Sequence, residues 1–214
     1  MKQIFLTAVT IMMAITAVFS QSDKYEAAMK TNIDQLDSAL SKGTIGDLAN
    51  NFERIANAEK TQWLPYYYAA YCAVMSSYIN QDKSKTDGTA DKAEAFITKA
   101  EQLAGGENSE TCVIKSMIAS AHMMVDPQTR WQQYGQASAD NIEKAKKMDP
   151  SNPRPLYLEG QSKFYTPEQF GGGKTVAKPV LEKARAMFTG FKPASPLHPV
   201  WGKASTQYFI NQCN

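Results

Sequence analysis

The chain has 214 residues, enough to bury a full core in one domain or in one short repeat array. Its 23 lysines and arginines stand against 21 aspartates and glutamates, a formal net charge of +2 that provides no basic stripe for nucleic acid. Ala, Lys, Glu, Gln, Leu and Met are abundant and no β-branched run of the kind buried strands need is present, so the composition points to an all-α fold.

At the amino terminus, Lys2 precedes an uncharged stretch whose apolar part, IFLTAVTIMMAITAVF, is 16 residues long. A membrane-spanning helix needs about 20. Polar residues begin at Ser20, and Val18 and Ser20 fit the small-residue positions before a cut ahead of Gln21. Residues 1–20 therefore read as a signal peptide and residues 21–214 as the mature domain. No cysteine precedes Cys72, which removes the lipid-attachment site of a bacterial lipoprotein. The expectation is an exported protein, periplasmic or extracellular, with no membrane anchor after cleavage.

From there the sequence reads as helix after helix. Helices are predicted over 22–41, 44–60, 62–80, 89–104, 108–125, 129–148, 153–165, 175–189 and 199–212, about nine in all. The breaks fall at SKGT, DKSKTDGT, AGGEN, VDP, DPSNP and FKPASPLHP, where glycine, proline and capping residues concentrate. Three of these helices share one spacing: Ala93, Ile97 and Ala100; Ser138, Ile142 and Ala145; Ala177, Leu181 and Ala184. Small residues seven apart let a helix approach its neighbour closely, while the apolar residue between them fills the gap. Ala49 to Ala56 is an incomplete copy in which Glu53 takes the apolar position. The copies are 45 residues apart (93 to 138) and then 39 (138 to 177).

That pattern resembles the tetratricopeptide repeat family, in which a proline follows the last alanine of the second helix by five residues, as Pro150 follows Ala145. Gly160 falls where the next first helix of the pattern carries its small residue. No repeat holds the full signature, and the family's tryptophan and tyrosine are not reproduced at Leu156 and Lys163. The wording WLPYYYAAY, MMVDP, NPRPLYLEG, TPEQFGGGK and PVWGK is similar to secreted tetratricopeptide-like proteins of Bacteroidota-type bacteria, over most of residues 60–203. The resemblance implies a right-handed helical-repeat solenoid of antiparallel helix pairs.

The stretch GGGKT at 171–175 imitates a phosphate-binding loop. In the Walker pattern GxxxxGK[ST], the position five before Gly173 must be glycine, and here it is Glu168. No strand pattern precedes it, because PLYLEGQSKFY lacks β-branched residues and spaces Tyr157, Gly160, Gln161 and Phe164 on one helical face. Thr166, Pro167 and Gln169 read instead as a helix start with Thr166 as the cap. The three glycines then read as a reversal between two helices. Neither His122 nor His198 stands in a metal-ligand spacing, no GxSxG elbow occurs, and no paired acid and base is evident. The expectation is no enzyme, no metal and no cofactor. Cys72 and Cys112 are read as small core residues without a disulfide: with Ala70 and Ser116 as equivalent positions, they sit six residues out of register, about 9 Å along parallel helices, beyond the roughly 7 Å limit between Cα atoms.

Six residues are candidates for a concave groove: Tyr67 and Tyr71 from one helix, and Arg154, Tyr157, Gln161 and Tyr165 from a later one. Tyrosine and arginine bring rigid area with a hydrogen-bonding end. The competing reading packs the tyrosines against neighbouring helices or the carboxy-terminal helix. The expected function is a non-enzymatic scaffold that binds a protein or peptide partner through the groove. The alternative is a periplasmic small-molecule-binding or transport-associated helper, which a closed pore lined by Tyr67, Tyr71 and Met75 would favour. Titration calorimetry with ATP and GTP is expected to show no micromolar binding, and Lys174→Ala to leave the Tm nearly unchanged.

Overall fold

The computed structural model describes residues 23–214, and among them every regular element is helical. The predicted signal peptide lies outside the described residues. Helix α1 is described over 23–33, followed by α2 (Leu36–Lys42), α3 (Ile45–Glu59), α4 (Trp63–Ile79), α5 (Thr86–Ala104) and α6 (Ser109–Val125). A short α7 (Pro127–Arg130) leads into a π-helical turn, Trp131–Gly135, and on into α8 (Gln136–Met148). Then come α9 (Arg154–Tyr165), α10 (Lys174–Gly190) and α11 (Lys203–Gln212).

Most boundaries follow the local chemistry read from sequence. Asn108 caps α6 by accepting hydrogen bonds from the backbone of Glu110 and Thr111, and the Thr111 hydroxyl accepts one from the Asn108 backbone N–H. Three departures stand out. The single helix expected over 22–41 is broken by a turn at 34–35. The helix expected over 129–148 begins with α7 and the π-helical turn. At Thr166 the expected cap does not form, because its hydroxyl donates back to the Ser162 carbonyl at 2.9 Å, and the short 3-10 turn Glu168–Phe170 has no side-chain cap.

Each helix packs on the next along the chain, from α3 on α4 through α9 on α10 to α10 on α11, with α8 as the partner of α6. In addition α4 touches α6 and α6 touches α9, so these three form one layer, with α5, α8 and α10 packed outside them. Short connections make α5, α8 and α10 antiparallel to that layer, so α4, α6 and α9 all finish at the same end. The repeated spacing found in the sequence is the contact surface between layers: all nine of its residues are buried. Gly160 shows how close the approach is, since a Cβ there would lie 2.6 Å from Leu181 Cγ and Cδ2. The glycine run is the reversal between α9 and α10: Gly171 and Gly173 hold φ of 80° and 97°, and a Cβ on Gly172 would meet the Thr166 carbonyl at 2.1 Å. A helix precedes this run, where a phosphate-binding loop requires a strand.

Cys72 and Cys112 are buried in the core. Burial pushes the Cys72 thiol well up and that of Cys112 up to about 11, the signature of unreactive side chains.

The glycines yield a paired test of the layer contact. Gly160→Ala is expected to cost about 1–3 kcal/mol through overpacking. Gly88→Ala, in α5 with nothing within 4 Å of its Cβ position, is expected to stabilise by about 0.5–1 kcal/mol. Urea denaturation of both variants checks the signs.

Candidate functional site

Arg154, the first residue of α9, has no exposed side-chain surface. A buried guanidinium needs a countercharge and full hydrogen bonding, and Glu110 from α6 supplies both. Arg154 Nε donates to Glu110 Oε2 at 2.9 Å and its Nη2 donates to Oε1. Asn152 Nδ2 donates to Oε1 at 2.9 Å, and the Tyr67 hydroxyl of α4 donates to Oε2 at 3.1 Å. Burial pushes the Arg154 pKa down, but the charge and hydrogen bonds of Glu110 outweigh it and leave it raised. The Tyr67 hydroxyl is held far above its ordinary value, first by burial and then by Glu110.

Residues 191–202, which join α10 to α11, cross this same face as a strap. Trp201 Nε1 donates to the Tyr67 hydroxyl at 3.0 Å, and the indole stacks on Tyr71 with ring centroids 4.6 Å apart. The Tyr68 hydroxyl donates to the Leu197 carbonyl at 3.0 Å. Phe191 and Trp201 place their rings 4.8 and 5.5 Å from the Arg154 guanidinium. Four of the six groove candidates, Tyr67, Tyr71, Arg154 and Tyr157, are therefore buried. That corrects the open groove expected from sequence: the chain's own strap fills the face those residues were to present. Of the other two, Gln161 is half-buried and donates to the Tyr157 hydroxyl, and Tyr165 is 69% exposed.

Two regions on either side of the strap remain open. At the end where α6 and α9 begin lies a cleft of about 540 Å³, lined by Trp63, Met148, Phe191, Lys192 and His198, with Glu107 among its polar groups. His198 Nδ1 is 2.7 Å from Ser195 Oγ, and burial pulls its pKa below the usual histidine value.

The opposite end is where α4, α6 and α9 finish. Ile79 closes α4, Met124 lies in the last turn of α6, Trp131 follows it, Tyr165 closes α9 and Phe170 sits in the next turn; all five are exposed. α11 comes up beside this end and completes an aromatic ledge: Phe164, Tyr165 and Tyr208 surround Phe209 at centroid distances of 5.2, 5.7 and 5.4 Å. Beneath the ledge, burial pushes the Tyr157 hydroxyl up to about 12, with hydrogen bonds to Ser205 and Gln161 pulling the other way. Sequence reasoning missed Trp131, Tyr208 and the strap. The tryptophan in PVWGK, set among prolines, was the available signal for the strap. Among the described residues no cluster of histidines, cysteines and carboxylates could hold a metal ion, and no helix is long and apolar enough to cross a membrane.

No protein-family model matches the chain, and no curated protein matches it in sequence. Among solved structures it is similar to the HusA haemophore from Porphyromonas gingivalis, with 36% identity and a TM-score of 0.79 over 89% of this chain and 92% of that one. This likeness overturns the expectation of a protein or peptide partner, because the matched protein is a haemophore.

Removing one member of the buried pair leaves a charge without compensation. Glu110→Ala is expected to lower unfolding free energy by about 3–5 kcal/mol in chemical denaturation. His198 adds a pH dependence: its folded pKa is depressed, so the unfolded chain takes up the proton first. Its contribution is full above about pH 6.5 and is lost as pH falls from there towards the folded value. His198→Gln is expected to flatten that slope in melting curves.

Proposed function

The chain belongs to the family of the HusA haemophore, and from that membership we propose that it is an exported haem-binding protein. The binding role, rather than catalysis, agrees with the kind of protein it matches. The sequential pairing of antiparallel helices, with the repeated small-apolar-alanine contact between layers, supports a tetratricopeptide-like solenoid as the frame.

The observation that carries the site is the aromatic ledge. Haem is a broad, flat, largely apolar disc with carboxylates on one edge, and exposed aromatic rings offer area that its faces can cover. The ends of α4, α6 and α9 offer such an area, whereas the mouth of the opposite cleft carries Glu107, Asp149 and Lys192. Tyr165 and Tyr208 are the ledge residues in reach of the ring, with Phe164 and Phe209 as their backing. Gln161 and Tyr157 lie beneath as polar support.

The ledge would hold the macrocycle by its faces, and its exposed tyrosine hydroxyls are groups of a kind that can also ligate haem iron. Its polar atoms are tyrosine hydroxyls and the Gln161 amide. His122 is engaged by Asp87 at 2.8 Å and Asp91 at 3.6 Å, and His198 lies in the cleft at the other end.

Haemin titration followed at the Soret band tests this reading. Wild type is expected to bind at micromolar or tighter concentration. Tyr165→Ala with Tyr208→Ala is expected to weaken binding by about 2 kcal/mol, while stability changes by no more than about 0.5 kcal/mol per exposed site. A wild-type protein that leaves haemin in its free spectrum would overturn the proposal.

A further inference from the structure

We infer that Trp131 is the side chain that stacks on the flat face of the bound macrocycle, and that Arg130, Asp87 and His122 form a clasp that positions it. The inference rests on the haem reading above and assigns a residue to it that neither the sequence pattern nor the ledge supplied.

Trp131 differs from the other two tryptophans. Trp63 packs edge-on against Tyr67 and His198, and Trp201 is stacked on Tyr71. Trp131 is 62% exposed and makes no ring contact or side-chain hydrogen bond among the described residues. An indole left this exposed is flat aromatic area that a ring can cover.

Its neighbours are held firmly. Arg130 grips Asp87 with two hydrogen bonds, Nη1 to Oδ1 at 2.6 Å and Nη2 to Oδ2 at 2.9 Å, and Nη1 also donates to the His122 carbonyl at 3.2 Å. On the other side, Tyr134 stacks on the His122 ring with centroids 5.0 Å apart and planes 21° from parallel. Asp126 fixes the start of the segment by accepting from Thr129 Oγ1 at 2.7 Å. Hydrogen bonds from Arg130 and His122 hold the Asp87 carboxyl down to about 2, so Asp87 stays ionised at neutral and mildly acidic pH. Residues 130 and 134 are thus tied to α5 and α6, and the π-helical turn between them carries Trp131 outward. Single π turns inside helices recur at functional positions because they redirect one side chain without breaking the helix.

The place also fits. The turn leaves the finishing end of α6, and the aromatic ledge lies at the finishing end of α9, which packs against α6. Trp131 then supplies one contact and Tyr165 the other.

Protein labelled with 5-fluorotryptophan contains three tryptophans, and Trp131→Phe assigns the resonance of interest. Zinc protoporphyrin, which is diamagnetic, is expected to move the Trp131 resonance by ring current and to leave that of Trp63 in place. Trp131→Ala is expected to weaken haemin binding about 30-fold, the ratio that 2 kcal/mol represents, and Trp131→Phe to recover most of the loss. Asp87→Asn, which loosens the clasp without touching the indole, is expected to broaden the Trp131 resonance and weaken binding several-fold. If wild type binds haemin while its Trp131 resonance stays fixed and Trp131→Ala binds equally well, this inference is wrong and the haem reading stands. If wild type binds neither porphyrin, the haem reading itself fails.

Discussion

A guanidinium with no contact to water dictates much of this molecule. Arg154 can remain charged and buried only because Glu110 faces it, and Glu110 can serve only because α6 lies against α9. The same carboxylate takes the Tyr67 hydroxyl from α4, and Tyr67 takes the indole of Trp201. One buried charge therefore ties three helices of a layer to the strap that crosses them. Desolvating two charges consumes most of what their attraction returns. With this face closed by its own chain, the exposed apolar surface collects where the three helices finish.

Local chemistry made most of the helices legible from sequence. Caps and prolines mark where α6 and α9 begin and end, and the triplets at Ala93, Ser138 and Ala177 mark the layer contact, because close helix approach demands small residues at fixed spacing. The site was less legible. Tyr67, Tyr71, Arg154 and Tyr157 were found as a convergent group, and they do converge, on Trp201 and on each other. Whether such a group faces solvent depends on a segment 47 residues away (154 to 201), and no periodicity records that. The π-helical turn is equally silent, for WQQYG fits an ordinary helix, and the tie just before it, from Arg130 to Asp87, spans 43 residues.

The two ends of the layer differ in chemistry. Where α6 and α9 begin, the cleft between them and the strap collects capping groups, carboxylates and Lys192. Where α4, α6 and α9 end, methionine, isoleucine and aromatic side chains are left in water. A flat apolar cargo distinguishes strongly between such surfaces, since its gain comes from burying rings rather than from a few hydrogen bonds.

The most direct measurement is a map of amide signals broadened by bound ferric haem, whose paramagnetism acts over short range. The account predicts that broadening centres on the residues around Ile79, Met124, Trp131 and Tyr165, and spares Trp63, Lys192 and His198. Broadening centred on the cleft residues, with the finishing ends of α4, α6 and α9 unaffected, would contradict it.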